Sequence, residues 1–88
     1  MEYKEITADK YNKLPSKAEA FLVVYRNGRK EWHVNGTLHR TDGPAIEDVD
    51  ESGTWYLNGI KRSYNQWRTE KKQCMQDDLN EKIRDQII

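Results

Sequence analysis

Apolar and polar positions alternate through the middle of the chain, and the period becomes helical beyond residue 62. The run from Ala20 to Arg26, with the sequence AFLVVYR, is rich in β-branched and aromatic residues and predicts a strand. Shorter alternating runs follow as far as Arg62, bounded by Gly, Asn or Asp. The next apolar positions have the spacing of one helical face, and they are Trp67, Met75, Leu79, Ile83 and Ile87. The pattern predicts an α+β domain.

Asn-Gly pairs separate the strands at residues 27–28, 35–36 and 58–59. Between β-favouring residues this dipeptide predicts a type I′ hairpin turn, because both central positions need a positive φ. A two-residue loop at Asn27-Gly28 pairs Val23 with Trp32. The predicted core face then carries Phe21, Val23, Tyr25, Lys30, Trp32 and Val34.

The later turns extend the same pattern. Those at residues 35–36 and 58–59 pair Trp32 with His39 and Trp55 with Arg62, and a further turn at residues 41–43 lets Pro44 open a short strand. We therefore expect an antiparallel β-meander of about five to six short strands over residues 20–62.

The two ends of the chain carry the predicted helices. Residues 1–19 form either a mobile arm or a short helix that is capped by Thr7 and ends before Pro15. Ser63 and Gln66 have the form of a capping box at the start of a helix over residues 63–88. A helix of about 24 residues in this segment would be about 36 Å long at about 1.5 Å per residue. It therefore either projects, packs on a partner, or folds back over the meander.

The middle of the chain repeats itself after 23 residues, since Trp32 and Asn35-Gly36 recur as Trp55 and Asn58-Gly59. With the intervening His39-Arg40 and Asp42-Gly43-Pro44-Ala45, this segment resembles small, mostly phage-encoded proteins with a repeat of the same form. It is loosely similar to the MORN class of β-hairpin repeats. The second copy departs from the pattern, because Arg62 and Ser63 replace His-Arg and no Asp-Gly-Pro-Ala follows. The resemblance implies a viral origin and a binding role, and it supplies no catalytic residues.

The amino-acid composition disfavours several classes of function. The chain has 15 basic and 15 acidic residues among 88, a balance that disfavours a dedicated nucleic-acid binder. Its single cysteine, Cys74, excludes an internal disulfide and suits a reducing compartment. There is no long apolar run or leader peptide, so we expect a cytoplasmic protein, in the bacterial host if phage-encoded.

The residues that could support chemistry are few. His33, His39, Arg40 and Asp42 form one cluster in sequence, and a His-Asp pair can perform acid–base catalysis. No nucleophile accompanies them, so we expect His39 to be packed and Asp42 to hold its own turn. The His and Cys residues lack the spacing of a zinc site, and the glycines are explained as turn residues. We therefore predict no enzyme activity, no metal and no cofactor.

The functional prediction is a non-enzymatic interaction protein that binds and modulates a host or anti-phage defence protein. The predicted partner-binding residues are Leu79, Ile83 and Ile87 on the helix and Arg40, Tyr56 and Arg62 on the meander rim. The helix stripe also predicts a homo-oligomer. An alternative is an oligomer that sequesters a nucleotide signal through His39, Arg40 and Arg62. RNA or DNA binding through Arg26, Arg29, Lys30 and Arg68 is less favoured, and no membrane association is expected.

Overall fold

A computed structural model describes residues 2–72 of the chain. The strands of this part are β1 (Lys4–Thr7), β2 (Ala20–Val24), β3 (Lys30–Val34), β4 (Thr37–Leu38), β5 (Ile46–Glu47), β6 (Gly53–Leu57) and β7 (Ile60–Arg62). The helices described are α1 (Ala8–Asn12) and α2 (residues 64–72). The strands form one sheet in the order β1-β2-β3-β5-β6-β7, with β4 also paired to β3. Over residues 2–72 no helix has the length and apolar character needed to span a membrane.

The predicted fold class was wrong in two respects. The sheet is mixed, because β1 runs parallel to β2 while the other strand pairs are antiparallel. The part of the chain that the structure describes also contains no long C-terminal helix, since α2 covers residues 64–72. The remainder of the predicted helix, with Leu79, Ile83 and Ile87, lies outside the described residues.

The predicted pairing of β2 with β3 was wrong by one residue. Val23 lies opposite Glu31, and Trp32 lies opposite Leu22. The cause is the turn: Tyr25 N–H donates to the Arg29 carbonyl at 2.9 Å, which leaves three residues in the loop, and of Asn27 and Gly28 only Gly28 has a positive φ. Because side chains alternate between faces, this slip moves Trp32 to the opposite side of the sheet from Val23.

The other Asn-Gly turns formed as predicted. Asn35 and Gly36 have φ values of 52° and 79°, and Asn58 and Gly59 have values of 52° and 81°. Both central residues of each turn therefore have the positive φ of a type I′ hairpin. These turns give the predicted pairs Val34 with Thr37 and Trp55 with Arg62.

Strands β4 and β5 are two parts of one antiparallel partner of β3, separated by a detour that we call the strand excursion (residues 40–45). The His39 N–H donates to the Trp32 carbonyl at 3.0 Å, and the Trp32 N–H donates to the Ala45 carbonyl at 2.8 Å. The chain thus leaves the sheet after His39 and returns at Ala45, on either side of Trp32. Ala45 is fully buried, so the excursion is anchored at its return point.

The two faces of the sheet are covered by different helices. Helix α1 covers the face of Phe21 and Val23, where Tyr11 completes a cluster of buried side chains. Its N-cap is Thr7, as predicted, with the Thr7 hydroxyl accepting from the Lys10 N–H. The rings of Trp55 and Trp67 meet at 4.3 Å on the opposite face, which seats α2 there.

The predicted capping box of α2 is present. The Ser63 N–H donates to the Gln66 side-chain oxygen at 3.0 Å, and the Gln66 N–H donates to the Ser63 hydroxyl at 3.2 Å. This reciprocal pair satisfies N–H groups that a helix start otherwise leaves open. The box fixes where α2 begins and directs Trp67 onto the sheet.

Candidate functional site

The guanidinium of Arg40 is held inside the strand excursion. Its Cζ atom lies 3.7 Å from the ring centroid of Trp32. Its Nη1 donates to the Pro44 carbonyl and to Glu47 Oε1, both at 3.0 Å, and its Nε donates to Asp42 Oδ1 at 2.8 Å. Only 16% of the side chain is exposed. The charge is therefore stacked on an aromatic ring and paired with carboxylates of the same chain.

Gly43 and Trp67 close the excursion around Arg40. A Cβ atom at Gly43 would lie 2.7 Å from Arg40 Cζ, so only glycine lets the backbone approach the guanidinium this closely. The Trp67 indole N–H donates to the Arg40 carbonyl at 2.7 Å, which ties α2 to the excursion. We call this arrangement of Trp32, Arg40, Gly43 and Trp67 the arginine lock.

His39 connects the two copies of the sequence repeat. It is 7% exposed, and its Nδ1 accepts from the Asn58 N–H at 2.9 Å. Its carbonyl accepts from the Tyr3 hydroxyl at 3.0 Å, so the N-terminal segment is tied to the same point. His39 is thus the packed, hydrogen-bonded residue expected from the sequence. It faces away from His33, which packs against the Tyr11 ring at 5.0 Å.

The predicted ligand-binding set of His39, Arg40 and Arg62 consists of residues that already have partners. Arg62 Nε lies 2.9 Å from Glu70 Oε2, without hydrogen-bond geometry, so their contact is an ion pair between β7 and α2. Arg40 is paired with Glu47. A phosphate at either arginine would have to compete with a carboxylate already in place. The ligand-binding role of the set stays a prediction.

The predicted partner-binding residues within the described part are not together on one surface. Arg62 shares a face with Trp55, which lies opposite it in the hairpin. Tyr56 is the neighbour of Trp55 in β6 and points to the other face, where it is half-buried. Arg40 is inside the arginine lock. Leu79, Ile83 and Ile87 lie outside the described residues, so their role stays a prediction.

A buried charge cluster that the sequence analysis missed lies beneath α1. Glu31 is 8% exposed, and its Oε1 accepts from the Tyr25 hydroxyl at 3.0 Å and pairs with His33 Nε2 at 2.9 Å. Its Oε2 lies 2.8 Å from Arg29 Nη2. The sequence signal for this cluster is the spacing of its members. Glu31 and His33 are two residues apart in one strand, and Tyr25 lies across a short loop, so all three can lie on one sheet face. This signal was obscured because the predicted register placed Glu31 on the other face.

The cluster perturbs the ionisation of its members. Burial raises the pKa of Glu31, but hydrogen bonds from His33 and Tyr25 and the charge of Arg29 outweigh it, and the net pKa is below the usual 4.5. The pKa of Tyr25 is raised by burial and by its hydrogen bond to the Glu31 carboxylate. Glu31 is thus an ionised, fully bonded structural group. His33 Nδ1 is buried without a hydrogen-bond partner.

Some of the basic residues proposed for nucleic-acid binding form ion pairs with carboxylates of the same chain. Arg29 is paired with Glu31, as above, and also lies 3.7 Å from Asp48. Arg26 is paired with Asp9 at 3.0 Å, although 94% of its side chain is exposed. Lys30 and Arg68 are exposed on different elements, β3 and α2. Two of the four cations, Arg26 and Arg29, are therefore already paired with carboxylates of the same chain.

Over residues 2–72 three large apolar side chains are exposed, and two of them, Ile60 and Tyr64, lie in β7 and α2. We define the aromatic patch as Trp55, Ile60 and Tyr64, with buried Trp67 beneath it. Ile60 and Tyr64 are 53% and 51% exposed. Tyr64 packs on Trp55 at 5.0 Å and on Trp67 at 6.1 Å, and strand pairing places Ile60 on the same sheet face as Trp55. The three rings of the patch are therefore packed against one another, and Ile60 lies in β7 on the same sheet face.

Comparison with other proteins gives no assignment. No protein-family model, curated protein or solved structure matches this chain. The resemblance to phage repeat proteins and to the MORN class therefore stays a prediction. Over residues 2–72 the structure brings together no group of three His, Cys, Asp or Glu side chains suited to a metal ion.

Proposed function

We propose that this chain is a non-catalytic protein-binding module that engages a partner protein through the aromatic patch. The observation that carries the proposal is the exposure of Ile60 and Tyr64, each more than half accessible, on a base of packed tryptophans. Burying a large apolar side chain contributes about 1.5–3 kcal/mol, so these two groups alone can supply a substantial part of a binding energy.

The composition of the patch supports a protein partner. Binding hot spots are enriched in Trp, Tyr and Arg, and here Arg62 lies opposite Trp55 on the face that carries the patch. The rings are ordered before binding, because Tyr64 is packed against both tryptophans. A partner would therefore lose little conformational entropy in ordering this surface.

The arginine lock supports the non-catalytic part of the proposal. His39 and Arg40, the chemically versatile residues of the repeat, hold the hairpins together through Asn58, Pro44 and Trp32. We therefore assign a structural role to His39 and Arg40 and assign partner binding to the aromatic patch. The resemblance to phage-encoded proteins points to a host or anti-phage defence protein as the partner.

The test is affinity capture from bacterial lysate with the full chain and a matched pair of variants. Ile60→Asp with Tyr64→Asp charges the patch, whereas Val49→Asp charges an equally exposed apolar residue, 57% accessible, in the β5–β6 loop. We expect the wild type and Val49→Asp to retain the same specific protein and the patch variant to lose it. Capture of the same protein by all three, or of none by the wild type, would contradict the proposal.

A further inference from the structure

The aromatic patch is bordered by an excess of positive charge. Residues 62–72 contain four cations and one carboxylate, and they are Arg62, Arg68, Lys71, Lys72 and Glu70. Lys61 lies opposite Tyr56 and points to the other face of the sheet. The carboxylate is taken by Arg62 at 2.9 Å. Along α2, Arg68 follows Tyr64 by four residues and Lys72 follows Arg68 by four, which places these three side chains on one side of the helix.

Two cations of α2 have no acidic partner among the residues that the structure describes. Arg68 and Lys72 are exposed, and no described carboxylate pairs with either. Lys71 differs from them, because its Nζ lies 4.4 Å from the ring centroid of Trp67. Like charges four residues apart destabilise a helix. Over residues 2–72 no carboxylate offsets the repulsion between Arg68 and Lys72.

The carboxylates near Trp55 lie on its other side, away from the cations of α2. Glu47, Asp48 and Glu51 line a groove of about 380 Å³ next to Trp55. Glu47 bonds to Arg40 at 3.0 Å and Asp48 lies 3.7 Å from Arg29, whereas Glu51 is exposed. The two sides of Trp55 therefore differ in charge, with exposed cations on the α2 side.

From this asymmetry we infer that the partner presents an acidic surface, which meets Arg68 and Lys72 while its apolar groups cover Ile60 and Tyr64. The inference rests on the proposed protein-binding function and specifies the chemistry of the partner. A protein fits better than a single-stranded nucleic acid, because the Tyr64 ring is already packed against Trp55 and Trp67. The exposed Ile60 side chain also offers an aliphatic contact and no stacking surface for a base.

The experiment titrates the full chain with three probes and follows the indole N–H signals of Trp55 and Trp32 by NMR. The probes are a peptide rich in Glu, Asp and Leu, the same peptide with Gln and Asn in place of its acids, and oligothymidylate of similar length. We expect the acidic peptide to shift the Trp55 signal and leave the Trp32 signal in place. Its affinity should exceed that of the amide peptide by about tenfold and fall with added salt.

A matched pair of variants tests the assignment to α2. Arg68→Gln with Lys72→Gln should weaken the acidic peptide by about three- to tenfold, whereas Arg26→Gln with Lys30→Gln, the same exchange at the β2–β3 turn, should leave it unchanged. Equal affinity for the two peptides, tighter binding of the oligonucleotide, or no shift of Trp55 overturns the inference. If charging Ile60 and Tyr64 abolishes capture while the α2 variant changes neither capture nor peptide affinity, the protein-binding proposal stands and the acidic partner is refuted.

Discussion

The arginine lock makes a quantitative prediction, because a Cβ atom at residue 43 would overlap the guanidinium of Arg40. Gly43→Ala places a methyl group 2.7 Å from Arg40 Cζ and 2.8 Å from Nη1. An arginine tip can normally move away from such a group, but this one is held by Trp32, Pro44 and Glu47. We expect Gly43→Ala to displace the guanidinium and to lower the free energy of unfolding by about 1–3 kcal/mol.

The loss from Arg40→Ala can be estimated from its main contacts. The ion pair with Glu47, whose side chain is 43% exposed, is screened by solvent and adds little. A desolvated cation–π contact contributes about 2 kcal/mol, and a hydrogen bond from a charged group to the Pro44 carbonyl contributes about 1.5–3 kcal/mol. The pair with Asp42, whose side chain is 77% exposed, adds little. We expect Arg40→Ala to cost about 3 kcal/mol after relaxation, which corresponds to a fall in Tm of about 12 °C or more for a domain of this size.

A double-mutant cycle, measured by urea unfolding with tryptophan fluorescence, tests whether a methyl group at residue 43 and the Arg40 guanidinium compete for the same space. Once Arg40 is alanine, the methyl group at residue 43 meets no guanidinium. Gly43→Ala should then cost less than about 0.5 kcal/mol, the usual size of the effect of a substitution that creates no clash. An equal loss in both backgrounds, or no loss in the wild type, would show that Arg40 and Gly43 do not form the lock.

Two further predictions concern the buried cluster and the second hairpin. Because the folded-state pKa of Glu31 lies below 4.5, its contribution to stability is present above that value and is lost as the pH falls below it. In Glu31→Gln the free energy of unfolding, measured by denaturant titration, should therefore decrease less steeply below pH 4.5 than in the wild type. An equally steep decrease in both proteins would refute the contribution of Glu31. Gly59 has a φ of 81°, and an added Cβ would lie 3.3 Å from Thr37 Cβ. Gly59→Val should therefore lower Tm more than Gly59→Asn, since Asn tolerates positive φ, and equal losses would contradict this.

Local signals in the sequence predicted local structure. The turns at residues 35–36 and 58–59 and the Ser63 capping box were predicted because each depends on neighbouring residues alone. The β2–β3 register was not, because a third loop residue changed an Asn-Gly turn that looked identical in sequence. Strand β1 was missed because Lys4–Thr7 has one aliphatic residue, Ile6, and pairs with a strand far along the chain.

The candidate site was predictable in part. His39 was expected to be packed, from its position opposite Trp32. Arg40 was assigned to the exposed rim because nothing in the spacing shows that the chain detours over Trp32 at this point. The detour depends on the hydrogen bond from the Trp32 N–H to the Ala45 carbonyl, where the chain rejoins the sheet. It also depends on the short distance between the backbone of Gly43 and the Arg40 guanidinium. Both contacts exist only in the folded chain.

From the contacts of Arg40 with Trp32, Pro44 and Glu47 we infer that it serves the scaffold and does not bind a ligand or partner. The direct measurement is hydrogen exchange at the arginine Nε–H groups by NMR, with Arg26 and Arg68 as exposed references. We predict that the Arg40 signal exchanges far more slowly than both and is displaced upfield by the Trp32 ring 3.7 Å away. An Arg40 Nε–H that exchanges as fast as that of Arg26, without a ring-induced shift, would contradict the account.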